Sequence, residues 1–590
     1  MVVEGGVDDA SVIETAPDVI DEIVDASCVR GEAAVALETC SVDRWCWTNP
    51  LPQGNDLYGV WGSAADDVWE VGAGGALVHW DGARWSSSWG GVTHALLRGV
   101  WGTSACDAWA VGDEGTIVHW NGATWSPSSS GTTQYLAGVW GSAPDDVYAV
   151  GSFGTVVHFD GRAWTTMSTD VTTYLRSVWG SARDDVWSVG AAGTLLHFDG
   201  ATWSTKPSPI AANLEGVWGS SARDVWAVGM HGATLHFDGA SWTSVTNATV
   251  EDLAAISGSS ADDVWAVGNA GTKVHWNGRE WSSSPPLSLA PLHAVQARAR
   301  DDAWSVGGYG GTTQRFDGAV WRAVSRGNQK ELSAVWATSA SDVWAFGSAI
   351  LHFDGSAWGL VLDEDHELLS AWGTSARDVW TVGAEGYVAH FDGARWTKID
   401  APTTLDLASV YGFSSDDVWA VSRRFPGKPS VVLHWDGVAW KESTSAEVDL
   451  YGVWGAARDD VWVVGAIGTI LHWNGSAWST LPPPTPNSLD AVWGSAANDV
   501  WTVGALGTLL RWDGTAWTSV ASGTTRSLNG VWGRSARDVW AAGSAGVILH
   551  FDGKAWSSST SGSAQDGAAV FGVAGETWVV GSGGMALRRR

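Results

Sequence analysis

Basic residues are scarce. The chain sets 33 Lys and Arg against 64 Asp and Glu, for a formal net charge of −31. Phosphate backbones and anionic lipid surfaces are held by clustered cations, so nucleic acid is not an expected partner. Long apolar runs are missing too: no stretch of about 18 residues could cross a bilayer as a helix. No basic segment followed by an apolar one opens the chain. A secretion signal is therefore not expected in the sequence as given, and attachment to a membrane would need a lipid anchor upstream of that start.

Cysteine is limited to Cys28, Cys40, Cys46 and Cys106. They form no CxxC pair, so no metal or other cofactor is expected. They suit one or two disulfides in an exported protein, with all three pairings open. Catalytic signatures are also lacking. No G-x-S-x-G, H-E-x-x-H or phosphate-cradling loop occurs, so no catalytic residue is named and the chain is not expected to be an enzyme.

What is abundant is glycine, 74 residues, and tryptophan, 45 residues. Both recur with one period. The aromatic of a "VWG" element falls at Trp61, Trp101, Trp140, Trp179 and Trp218, then in degenerate form at Ile256 and Val295. It returns at Trp336, Trp372, Tyr411, Trp454, Trp493, Trp532 and Phe571. That makes fourteen units of about 39 residues, the size of a four-stranded propeller blade. Each unit reads as four short strands, L-x-x-V-W-G, D-V-W-A-V-G, T-L-L-H-W and A-x-W-S, separated by turn residues. The predicted class is all-β, with about three Trp per unit wedged between blades.

Two aspartates recur in each unit. The one in "HWDG" is replaced by Asn121, Asn277 and Asn474, and Asp-Gly and Asn-Gly share a preference for tight turns, so turn chemistry is its expected role. The one before "VW" keeps its carboxylate throughout. It pairs by position with a third-strand histidine: Asp67 with His79, Asp107 with His119, Asp146 with His158, Asp185 with His197, Asp224 with His236 and Asp263 with His275. The series continues with Asp342 and His352, Asp378 and His390, Asp417 and His434, Asp460 and His472, and Asp538 and His550. Asp302, Asp499 and Glu576 face Arg315, Arg511 and Arg588 instead. Every replacement keeps a hydrogen-bond donor, so an intrablade bond serving cohesion is expected.

The stretch "WAVGDEGTIVHWNGATW", 109–125, resembles the Asp-box propeller repeats of the BNR, sialidase-like and Ycf48-like families. The Asp–His–Trp combination is similar to WD40 blades, and "VWG" to tectonin-type lectin repeats. These resemblances imply a β-propeller and leave its function open.

Propellers rarely exceed eight blades, so two tandem seven-bladed propellers are expected, with a single large ring as the alternative. The first would occupy 45–325 and the second 326–590. Trp45 precedes Trp61 by the interval that separates Trp85 from Trp101, so 45–50 reads as a fourth strand that closes the last blade. Residues 1–44 carry eleven acids against Arg30 and Arg44 and read as a flexible acidic leader.

Specificity in a repeat protein resides where the repeat breaks. A five-residue insertion in "SRRFPGKPS", 422–430, gathers Arg423, Arg424, Phe425 and Lys428, the named candidate ligand-binding residues. "LDEDHEL", 362–368, holds Asp363, Glu364, Asp365 and Glu367 without a calcium-loop rhythm. "LPPPTP", 481–486, is stiff and extended. The expectation is a non-enzymatic scaffold, extracellular, periplasmic or on the cell surface, that binds a protein or glycan. The alternatives are a multivalent carbohydrate-binding lectin and a glycoside hydrolase or lyase acting on a propeller face.

Overall fold

A computed structural model describes residues 40–49, 51, 53–87, 92–308, 311–324, 330–363, 366–482 and 484–589. The 1–39 part of the leader with Cys28, the expected boundary at 325/326, and Glu364 and Asp365 lie outside the described residues.

Fourteen antiparallel sheets of four strands form the molecule. In blade 1 the strands are Leu57–Ala64, Asp67–Gly72, Ala76–Trp80 and Trp85–Ser87. Other blades repeat this order. The Asp-Gly turn between third and fourth strands is held by its own side chain: Asp81 Oδ1 accepts the N–H groups of Ala83 and Arg84 at 2.8 and 2.7 Å. Asn121 does the same at 3.0 and 2.9 Å, which explains the free exchange of Asp for Asn.

The "VWG" glycine has a packing reason. A Cβ on Gly141 would lie 2.7 Å from Trp101 Cη2, and one on Gly180 would lie 2.6 Å from Trp140 Cη2. The indole of one blade therefore rests on the bare backbone of the next.

Between blades the cores are apolar. Trp69, Val71 and Leu77 of blade 1 meet Leu97, Ala110, Val118 and Trp125 of blade 2. Trp69 and Trp125 meet edge to face with centroids 5.1 Å apart, a favoured aromatic geometry.

Two closures divide the blades. Trp304 of blade 7 contacts Trp80 and Trp85 of blade 1 at 6.3 and 5.9 Å. Trp578 of blade 14 contacts Phe353 and Trp358 of blade 8 at 5.2 and 5.8 Å. Blades 1–7 and 8–14 thus form separate seven-bladed rings, and the single large ring is ruled out. The strand Trp45–Asn49 is the outer strand of blade 14, antiparallel to Ala586–Arg589.

The first strands line each ring's axis, because they pack against one another around it. Leu57 pairs with Gly72, so the start of the first strand and the turn between second and third strands share one face. The connections from one blade to the next open on the same face, termed here the entry face. The insertion at 422–430 belongs to such a turn.

Among the described residues the rings meet at a joint on these faces. Asn55, ahead of blade 1, donates to Gly562 O at 3.2 Å and accepts from Ala564 N at 2.9 Å. Gln565 Nε2 donates to Gly54 O at 3.1 Å and Asp56 Oδ1 at 3.2 Å.

Candidate ligand site at the mouth of the first ring

The recurring carboxylates do not assemble into a site. Each stays inside its own blade, and the eleven Asp–His pairs stand at 2.6–2.9 Å between Oδ1 and Nε2. Arg315, Arg511 and Arg588 reach Asp302, Asp499 and Glu576 at 3.1, 2.8 and 2.8 Å. In many blades a Ser or Thr four residues before the Asp donates to its other oxygen, as Thr103 does to Asp107 at 2.6 Å. The imidazole also stacks on the second-strand aromatic, His79 on Trp69 at 4.5 Å. Such a bond ties three strands of one sheet.

The inserted loop of blade 10 is partly committed to its own structure. Arg424 N donates to Asp449 Oδ1 at 2.7 Å, its guanidinium donates to Glu447 O at 2.9 Å, and Lys428 Nζ reaches Thr404 Oγ1 at 3.4 Å. Arg423 and Phe425 are exposed. Cys40 and Cys46 form a disulfide, and Cys106 is disulfide-bonded as well. Among the described residues no group of three His, Cys, Asp or Glu is placed to hold a metal.

A different set of residues converges on the axis of the first ring. In each first strand the leading Leu is buried between blades, and the register slips at the next residue, leaving that side chain half-buried at the start of a strand that lines the axis. These positions hold Tyr58, Arg98, Ala137, Arg176, Glu215, Ala254 and His293. Tyr135 and Tyr174 stand just before two of the strands.

The side chains interlock around the mouth. Tyr58 and His293 stack at 4.6 Å across the ring's closing seam. Arg98 Nε donates to Asp113 Oδ1 at 2.6 Å while its guanidinium lies 5.0 Å from the Tyr135 ring. Arg176 lies 3.4 Å from Glu215, donates to Tyr135 Oη at 3.3 Å and faces the Tyr174 ring at 5.7 Å. Tyr135 and Tyr174 are near parallel, 11° apart, with centroids at 5.8 Å. Phe153, 61% exposed, extends this surface at 5.5 Å from Tyr174.

Burial shapes the ionisation of the mouth. It pushes the Glu215 carboxyl up, against the pull of Arg176, and pushes the phenols of Tyr58 and Tyr135 up. It holds His293 below the usual imidazole range, with Asp56 opposing, so the ring is neutral at pH 7. Each guanidinium already has a carboxylate, so the mouth carries no excess of cationic charge. The arrangement offers flat aromatic faces beside forked donors and carboxylate acceptors, which suits a ligand rich in hydroxyl groups and poor in charge.

Sequence reasoning passed over these residues because each occupies an ordinary half-exposed strand position. The available signal was variability in one slot: within the first ring, Tyr58, Arg98, Arg176, Glu215 and His293 occupy a position that blades 3 and 6 fill with Ala137 and Ala254.

No family model and no curated protein matches the chain. Solved structures do. A GH74 xyloglucanase from Xanthomonas campestris is 13% identical, covers 93% of this chain and 100% of its own, with a TM-score of 0.58. An ancestral GH74 enzyme is 10% identical over 92% of this chain and 98% of its own, with a TM-score of 0.65. YCF48 from Cyanidioschyzon merolae, 15% identical, covers 46% of this chain and 98% of its own, with a TM-score of 0.39. At their identities the likeness to the two GH74 structures is one of fold: an all-β double propeller.

Proposed function

We propose that the chain is an exported binding scaffold that holds a neutral glycan at the mouth of the first ring. The observation that carries this reading is the near-parallel Tyr135–Tyr174 pair bracketed by Arg98–Asp113 and Arg176–Glu215. Aromatic faces stack on the apolar faces of sugar rings, and paired guanidinium and carboxylate groups serve their hydroxyls. Disulfide bonding of Cys40, Cys46 and Cys106 supports an oxidising compartment.

The test is an immobilised panel of neutral and acidic oligosaccharides. Capture of a neutral member is expected, with Tyr174→Ala and Arg176→Ala each losing at least about tenfold in affinity at unchanged thermal stability. Absence of capture, or full retention by both variants, would overturn the reading.

A second reading, glycoside hydrolysis, is favoured by Glu215. A carboxyl raised by burial is what a general acid needs. It is tested by release of reducing ends from whichever glycan is captured, and Glu215→Gln must abolish that release.

A further inference from the structure

The joint between the rings shows what one kind of loop can read. The connection into blade 14 runs Ser561-Gly562-Ser563-Ala564-Gln565. Its own hydroxyls fold it: Ser563 N donates to Ser561 Oγ at 3.1 Å and Gln565 N to Ser563 Oγ at 3.0 Å, with Gly562 at φ 68°. That fold leaves Gly562 O and Ala564 N as an acceptor and a donor for a partner. The Asn55 side chain closes on both, at 3.2 and 2.9 Å. A carboxamide carries a donor and an acceptor side by side, as this pair requires. Gln565 Nε2 then donates to Gly54 O and Asp56 Oδ1 at 3.1 and 3.2 Å. The loop thus reads three consecutive residues, Gly54, Asn55 and Asp56.

The same loop occurs twice more. Ser130-Gly131-Thr132-Thr133-Gln134 leads into blade 3, and Ser522-Gly523-Thr524-Thr525-Arg526 leads into blade 13. Their internal bonds match those of the joint. Thr132 N donates to Ser130 Oγ at 3.3 Å and Gln134 N to Thr132 Oγ1 at 3.1 Å. Thr524 N donates to Ser522 Oγ at 3.4 Å and Arg526 N to Thr524 Oγ1 at 3.0 Å. Gly131 and Gly523 stand at φ 72° and 75°. Other connections place Asp170, Pro209, Ala248 or Leu287 where these loops have glycine.

The difference lies in what covers them. Gly562 and Ala564 are half-buried in the joint, whereas Gly131, Thr133, Gly523 and Thr525 are exposed. Among the described residues no hydrogen bond reaches Gly131 O, Thr133 N, Gly523 O or Thr525 N. A Cβ on either glycine would meet nothing within 4 Å. Gln134 Oε1 accepts Ser152 Oγ at 3.0 Å, which leaves Nε2 for the part that Gln565 Nε2 plays in the joint. Arg526 is exposed and brings a guanidinium to the same place. A groove opens at each loop, about 620 Å³ along Gly115 and Ser128–Thr133, and about 760 Å³ along Pro484–Asn487 and Ser519–Arg526.

We propose that these two loops, one in each ring, dock a partner protein through a surface turn that carries Gly-Asn-Asp. The asparagine carboxamide bridges Gly131 O and Thr133 N in the first ring, and Gly523 O and Thr525 N in the second. Gln134 Nε2 or the Arg526 guanidinium takes the glycine carbonyl and the aspartate. The joint selects this occupant, because a loop of the same sequence pattern and the same internal bonds holds such a turn within this molecule. The contact is one with protein and does not rest on the glycan reading.

Fluorescence anisotropy of the full chain with a labelled cyclic peptide containing Gln-Gly-Asn-Asp, the sequence of residues 53–56, tests the site. The control peptide has leucine in place of asparagine. The asparagine peptide is expected to bind and the leucine peptide not. The double variant Thr133→Pro/Thr525→Pro removes two N–H donors that the fold does not use, and should weaken binding at least about fivefold. Gln134→Glu/Arg526→Glu should do the same with an unchanged unfolding midpoint, since a carboxylate still accepts Ser152 Oγ. Tyr174→Ala should leave peptide binding intact, which separates these loops from the mouth of the first ring. No binding of the asparagine peptide, equal binding of the leucine peptide, undiminished binding by either double variant, or loss of binding in Tyr174→Ala would overturn the proposal.

Discussion

Arg511 Nε donates to Asp499 Oδ1 across 2.8 Å in a slot where eleven other blades place a histidine. The carboxylate is the fixed partner and the donor is interchangeable. Blade 6 should therefore tolerate His275→Arg within about 1 kcal/mol. Asp263→Ala should cost about 2–4 kcal/mol, because it strands His275 and Ser259 beside a site that is nearly sealed from water. Urea midpoints of the two variants check the contrast, and equal losses would show that packing rather than the bond matters there.

The same pairs set the response to acid. Burial alone would raise the carboxyls of Asp224, Asp263 and Asp538, but hydrogen bonds from His236, His275, Arg534 and their neighbours hold them below the ordinary 3.8. A carboxyl lowered on folding stabilises the folded state above 3.8, and that stabilisation disappears as pH falls through the lowered value. The thermal midpoint should thus drop as pH falls from 3.8 through the lowered values, as protons are taken up by the unfolded chain first. A midpoint that holds steady across that window would refute the assignment.

Different layers of the molecule left traces of different strength in the sequence. The fourteen-blade count was legible because each turn, strand and indole repeats with its neighbours. The carboxylate–donor pairs left a trace because every replacement kept a donor. The mouth of the first ring left almost none. Arg98 and Arg176 lie 78 residues apart in sequence, and only closure of the blades brings them to Tyr135. The blade 10 insertion was visible as a break in the repeat. That Arg424 is used to pin the loop depends on Glu447 and Asp449, beyond the next two strands.

A polar pair interrupts one interblade core. Lys273 of blade 6 is fully buried and donates to Gly271 O at 3.3 Å and Gln314 Oε1 at 3.1 Å, both neutral acceptors. Blades 1, 4 and 12 fill its slot with Leu77, Leu195 and Leu509, and blades 1 and 2 fill that of Gln314 with Val78 and Val118. The double variant Lys273→Leu/Gln314→Val should stabilise the first ring by about 1–3 kcal/mol at pH 7. The sign of the pH effect is distinctive. Burial lowers the amine from 10.5 to about 8, so between those values the unfolded chain binds more protons than the folded one. Wild-type stability should rise over that range, and the double variant should lose this component of the slope.

Trp47 lies near the start of the described chain yet belongs to the second ring. It is fully buried with Trp540, Ile548 and Leu587, on the strand that completes blade 14. Thr48, its neighbour, accepts a hydrogen bond from Trp358 Nε1 of blade 8 at 3.1 Å, so this strand also helps close the ring. Trp47→Ala should cost about 3–5 kcal/mol, and the loss should fall on the second ring. The first ring depends on its own closure, through Trp304 against Trp80 and Trp85. Native-state hydrogen exchange should therefore show faster opening in blades 13, 14 and 8 of the variant, with blades 3–5 unchanged. Uniform acceleration across both rings would mean that they unfold as one cooperative unit, and that the joint at Asn55 and Gln565 couples them more strongly than either closure.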